Sequence, residues 1–179
     1  MAAWTQSLSG GFTILAKRFT PSGGWEATEH IGTDMGSGVG RWVAMDAQGN
    51  ALVVWDESFV ANDIWANRFT PSGGWGVPER IEANDGSVGV PFVTMQPNGN
   101  AIATWYQRIS GTYRVVVNQF APSGGWSTPR VIDGGGGAYG GPNPPQVGMD
   151  AQGNAVAVWN QDNNVPLDPR SNIWANRFD

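Results

Sequence analysis

The sequence has no cysteine and a single histidine, His30. Disulfides, thiol catalysis and cysteine-held zinc are therefore excluded, and histidine chemistry would rest on one residue. Basic residues are scarce, with 10 Lys and Arg against 15 Asp and Glu. A nucleic-acid binder carries a basic patch, so DNA and RNA are not expected as partners. No apolar run approaches the ~20 residues of a membrane-spanning helix, and membrane insertion is not expected. The first residues lack the charged and apolar regions of a signal peptide. No Gly-x-Ser-x-Gly elbow surrounds any serine, and the Gly-rich stretches lack the lysine of a phosphate loop.

Glycine, with 26 residues, and tryptophan, with 10 among 179, are abundant. Forty per cent of the chain is hydrophobic, enough for a core. The glycines and 12 prolines suit many tight turns, and the tryptophans offer large surfaces for burial or for stacking on a ligand.

Repeats dominate the sequence. Phe-Thr-Pro-Ser-Gly-Gly-Trp ends at Trp25 and again at Trp75, and a close relative ends at Trp126. Met-Asp-Ala-Gln-Gly-Asn-Ala begins at Met45 and at Met149, with a variant at Met95. An apolar run follows each and ends at Trp55, Trp105 or Trp159, with Trp4 in the same place. Ile-Trp-Ala-Asn-Arg-Phe occurs at 64–69 and 173–178. The period is roughly fifty residues, within the range of propeller blades.

Four strands can be read per unit. Strand a ends at the methionine, and Gln-Gly-Asn turns the chain. Strand b, Ala51 to Trp55, is apolar at every position, which predicts burial on both faces. Strand c places Trp65, Asn67 and Phe69 on one face and Ile64, Ala66 and Arg68 on the other. Pro-Ser-Gly-Gly leads into strand d, which begins at the tryptophan and ends near Ile81 or Ile132. The predicted fold is all-β and β-propeller-like, with antiparallel four-stranded blades and about 3.5 repeats per chain. The units are 1–41 (incomplete), 42–91, 92–145 and 146–179 (incomplete). The two ends both contain b and c and do not complete one another. A small ring, self-association through open blade edges, or excision from a longer array would each answer this. Insertions at 134–145 and 161–170 break the period and have loop compositions.

The segments Ile64 to Glu82 and Met45 to Trp55 resemble bacterial exported or lipoprotein-type repeat proteins built from this unit. The resemblance spans essentially the whole chain. It implies a β-propeller-like fold and an extracellular or cell-surface location, and it transfers no functional residues.

Candidate chemistry is sparse. Asp46 and Asp150 lie in turns and suggest calcium, but one carboxylate per turn favours a turn-forming role, so no metal or cofactor is expected. Arg18, Arg68 and Arg177 share a repeat position that packing and ion pairing explain. Asp56, Glu57 and Asp63 could serve glycoside hydrolysis, yet their copies are replaced in other units and no pair stands out. Trp25, Trp75 and Trp126 follow flexible turns and could stack on sugars, with Asn67, Asn118 and Asn176 binding hydroxyls; core packing is the competing role. The expected function is a non-enzymatic, multivalent module recognising glycans or surface proteins. The alternative is a structural, self-assembling unit or array fragment without a small ligand. Neither is an enzyme.

Overall fold

The computed structural model describes residues 1–8, 11–32, 40–58, 62–83, 86–134, 144–162 and 171–178. Most of the two insertions falls outside these residues. Among the described residues all the regular elements are β-strands, paired antiparallel.

The first unit comprises β1 (Ala2–Leu8), β2 (Gly11–Lys17), the short pair β3 (Phe19–Thr20) and β4 (Gly24–Trp25), and β5 (Glu29–His30) alongside β2. The second has β6 (Arg41–Met45), β7 (Ala51–Ser58), β8 (Asn62–Thr70), β9 (Gly74–Trp75) and β10 (Glu79–Arg80), in the sheet order β6-β7-β8-β10, with β9 also on β8. The third repeats this with β11 (Val88–Met95), β12 (Ala101–Ile109), β13 (Thr112–Ala121), β14 (Gly125–Trp126) and β15 (Arg130–Val131). The last consists of β16 (Gln146–Met149), β17 (Ala155–Asp162) and β18 (Ser171–Phe178).

The turns follow from their residues. Asp46 Oδ1 accepts the backbone N–H groups of Gln48 and Asn50, both at 2.9 Å, and Gly49 takes the left-handed φ of 84° that closes the turn. Asp150 repeats this arrangement with Gln152 and Asn154. One expected feature differs. The outer strand d is two short pieces, β9 and β10, rather than one. Pro78 and Pro129 fall in the gap and have no N–H to donate to a ladder, and Ala27 and Thr28 follow the same path in the first unit.

The core lies between units. Ile14, Ala16 and Ile31 of the first unit pack against Val53 and Trp55 of the second. Leu52, Val54, Ile64 and Ala66 of the second meet Val93, Ala103, Trp105 and Val116 of the third. Ile102, Val115 and Val117 of the third meet Val147, Ala157 and Trp159 of the last. Alternate residues of one strand thus serve two interfaces, and Ala51 to Trp55 are all buried. Each such Leu, Val or Ile contributes roughly 1.5–3 kcal/mol by leaving water.

Two further devices join neighbours. The side-chain amides of Asn67, Asn118 and Asn176 donate to the carbonyls of Ile31, Ile81 and Ile132 in the preceding unit, at 2.8, 2.9 and 2.7 Å. The Arg18 guanidinium lies over the Phe69 ring at 5.4 Å, and Arg68 lies over Phe120 at 5.5 Å. Arg18 also pairs with Glu26 at 3.5 Å.

Candidate active site

One end of the second sheet gathers acid. There β7 stops, β8 starts and β10 finishes: Asp63 lies near Glu82 and opposite Glu57, while Asp56, next to Glu57 in β7, points to the other face. Glu57 sits opposite Asp63 and Asp56 opposite Ile64 in the β7–β8 register. Glu82 follows β10, and its Oε2 accepts the Ile64 N–H at 2.9 Å. Asp56 Oδ1 accepts the Gly40 N–H at 2.6 Å. A side chain at Gly40 would put its Cβ 2.5 Å from that same oxygen, so the close approach requires glycine.

The other units are less acidic here. Gln107 and Gln161 hold the place of Glu57, and each accepts a hydrogen bond from the indole N–H two residues earlier, at 3.2 and 2.9 Å. Asp56 is matched by Tyr106 and Asn160, and Asp63 by Arg114 in the third unit. Glu82 has one acidic counterpart, Asp133, and the first unit has Gly32 there.

The electrostatics follow from this crowding. The Glu82 carboxyl is pushed up to about 7, chiefly by burial and further by the Asp63 charge; backbone N–H groups and Arg80 oppose the rise. Arg80 Nε is 3.1 Å from Glu82 Oε1, and its Nη1 is 3.6 Å from Asp63 Oδ1. The contact with Oε1 has ion-pair distance without hydrogen-bond alignment, so this buried oxygen receives no hydrogen bond. The Glu82 side chain is fully buried, whereas that of Asp63 is 23% exposed and that of Arg80 is 43% exposed.

The remaining sequence candidates fall elsewhere. Asn67 and Asn118 are buried, and with Asn176 they bind the carbonyls described above. Trp25, Trp75 and Trp126 each contact the phenylalanine six residues earlier, at 5.4–5.5 Å between ring centroids. Trp75 and Trp126 pack against core clusters, while Trp25 is exposed. The Asp46 and Asp150 carboxylates are occupied by their own turns, and the Asn154 side chain leads in holding the Asp150 carboxyl below its usual value. Among the described residues no cluster of acidic and histidine side chains is arranged to hold a metal. His30 pairs with Thr13, in the places that Arg80 and Asp63 occupy in the second unit. Glu82 was not singled out from the sequence. The available signal was its place in the repeat, where Gly32, Glu82 and Asp133 differ in every copy.

The described residues define an all-β protein of successive antiparallel sheets. No protein-family model and no curated protein matches the chain. Among solved structures it is similar to an endo-arabinase from Bacteroides thetaiotaomicron, a propeller-type protein. The TM-score is 0.53 and the identity 15%, over 98% of this chain and 69% of the other. At this identity the likeness establishes the fold. It also corrects two expectations. The chain was read as a non-enzymatic binding module or a structural unit, and as no enzyme, because its carboxylates do not recur from unit to unit. Its fold is one that a glycan-degrading enzyme uses, and a single catalytic centre in a repeat protein has no need of copies in every unit.

Proposed function

We propose that this chain is a propeller-type glycoside hydrolase or its repeated core, acting on polysaccharide at the acidic end of the second unit. One arrangement carries the reading: the buried Glu82 carboxyl, pushed up to about 7, lies beside the partly exposed Asp63, and Arg80 contacts both. Glycoside hydrolysis needs one carboxyl to protonate the leaving oxygen and a second to attack, or to activate water. Environments that push two carboxyl pKa values apart assign those roles. Glu82 is the proton donor and Asp63, partly exposed, is its partner. Arg80 covers Glu82 Oε1 in the free protein, and substrate displaces this exposed arginine to reach the acid.

The fold likeness suggests arabinose-containing polysaccharide as the first substrate class to test. Four bladed units at 1–41, 42–91, 92–145 and 146–179, membership of an exported bacterial repeat family, and action outside the cell belong to the same proposal. The test is release of reducing sugar from arabinan, arabinoxylan and a panel of β-glucans. Wild-type protein is expected to cleave one of them. Glu82→Gln and Asp63→Asn should each lower the rate at least ~100-fold while the circular dichroism spectrum is unchanged. Folded wild-type protein that releases nothing from the whole panel would overturn the reading.

A further inference from the structure

We infer that a groove between the third and fourth units holds one neutral sugar residue of a polysaccharide, at the end of the sheets away from the acidic corner. The inference rests on the hydrolase reading only for the class of sugar to be tried. The groove itself is argued from its lining.

The groove has a volume of about 340 Å³, within the roughly 300–1,000 Å³ of small-ligand sites. It opens beside the turn that joins β11 to β12 and beside the end of β13, whereas Asp63 and Glu82 lie where β7 stops and β8 starts. Gln96, Asn100, Gln119 and Ser127 supply its polar lining, and Phe120 and Met149 are among its apolar residues. The described residues that line it include no charged side chain.

This neutrality is peculiar to the third unit. Gln96 stands where Asp46 and Asp150 close their turns, and Gln119 stands where Arg18, Arg68 and Arg177 recur. Ser127 stands where the first unit has Glu26 and the second Gly76. Arg68 extends over the Phe120 ring of the following unit. Gln119 is shorter, and Arg130 lies over the corresponding Phe178 instead, at 4.8 Å. The space along Gln119 is thereby left open.

The amides are also released. Asn50 and Asn154 donate their side-chain N–H groups to the Asp46 and Asp150 carboxylates, at 2.5 and 2.7 Å. Gln96 has no carboxylate to offer Asn100, and its own amide donates to the Asp150 carbonyl of the fourth unit. Among the described residues the side-chain amides of Asn100 and Gln119 have no hydrogen-bond partner. Ser127 is fixed beside them: its Oγ donates to Asn118 Oδ1 at 2.7 Å and accepts the Gln119 N–H at 3.3 Å.

A free amide offers a donor and an acceptor side by side, which adjacent hydroxyls of a sugar match. Phe120 and Met149 supply apolar surface for the C–H face of its ring. An ionic ligand would meet no counter-charge in this lining, so a neutral polyhydroxyl ligand is the class that fits.

The experiment is a heteronuclear NMR titration with arabinotriose, xylotriose and cellotriose, on the Glu82→Gln chain so that no sugar is cleaved. One sugar is expected to shift the side-chain amide signals of Asn100 and Gln119 saturably. Gln119→Arg and Asn100→Ala, each added to that chain, should weaken binding about 10-fold or more. Gln119→Arg restores the residue of the other units, so the melting temperature should not fall. Absence of saturable shifts with all three sugars overturns the inference, and so does binding that neither substitution weakens. Cleavage by the wild-type chain separates the two readings. Cleavage without these amide shifts refutes the groove alone, and amide shifts without cleavage refute the hydrolase alone.

Discussion

The second and third units share turns, registers and a core pattern, yet the same corner of the two sheets is held in opposite ways. In the third unit Asp133 is buried, accepts the Val115 N–H at 2.6 Å and is gripped by Arg114 at 2.6 and 2.7 Å. In the second, Glu82 accepts the matching N–H of Ile64, but Asp63 stands where the arginine would be. One corner is neutralised by a well-aligned ion pair. The other is an acid whose buried oxygen lacks a hydrogen bond. The difference teaches that a repeat tolerates a polar departure in one copy as long as the apolar residues that join the units, Ile64 and Val115 among them, are kept.

The strongest way to break the comparison is Arg114→Ala. It leaves the Asp133 carboxylate buried without its counter-charge and should cost roughly 3 kcal/mol in denaturant unfolding. A loss below ~1 kcal/mol would mean that the two corners are less different than their geometry implies. Next comes pH. The folded pKa of Glu82, about 7, lies above its ordinary 4.5. Between these values the folded chain holds a proton that the unfolded chain has released. Stability from this group is therefore complete below the lower value and falls as pH rises through 7, by on the order of 2 kcal/mol once solvent screening is allowed for. Unfolding measured from pH 4.5 to 8 should show that decline, and Glu82→Gln should flatten it. Asp133→Asn should behave differently and lose stability at neutral pH, because it removes the anion that Arg114 needs.

The finest probe is Asp63→Arg, which gives the second unit the third unit's arrangement. It should lower the Glu82 pKa in an NMR titration and stabilise the chain at pH 8 by roughly 1 kcal/mol. An unchanged Glu82 titration would show that burial alone sets its value. The same substitution should abolish polysaccharide cleavage if the hydrolase proposal holds.

Features fixed by local chemistry were readable from the sequence. The Asp-x-x-Gly-Asn turns form as their residues dictate, and the parity of Ile64, Trp65, Ala66 and Asn67 assigns each to its proper face. Features that depend on the next unit were not. Trp25 and Trp75 end identical motifs and Trp126 a close relative, yet Trp25 is 55% exposed while the other two pack against clusters that include residues of the preceding unit. The pairing of Asn67 with Ile31 crosses 36 positions and leaves no local trace. Glu82 was missed for the same reason: its proton affinity comes from burial and from Asp63, which the fold brings near. The variation among copies of Asp56, Glu57 and Asp63 counted against an enzyme in the sequence, whereas in the structure it marks the place where one unit departs from the rest.

Because apolar residues meet across junctions rather than within a sheet, an added copy of the fifty-residue unit arrives with both of its mating surfaces already matched to its neighbours. Duplication or loss of a whole unit then leaves every remaining junction chemically unchanged. A lineage carrying this repeat can alter its length in steps of one unit, while the polar residues of a single copy change independently of the others.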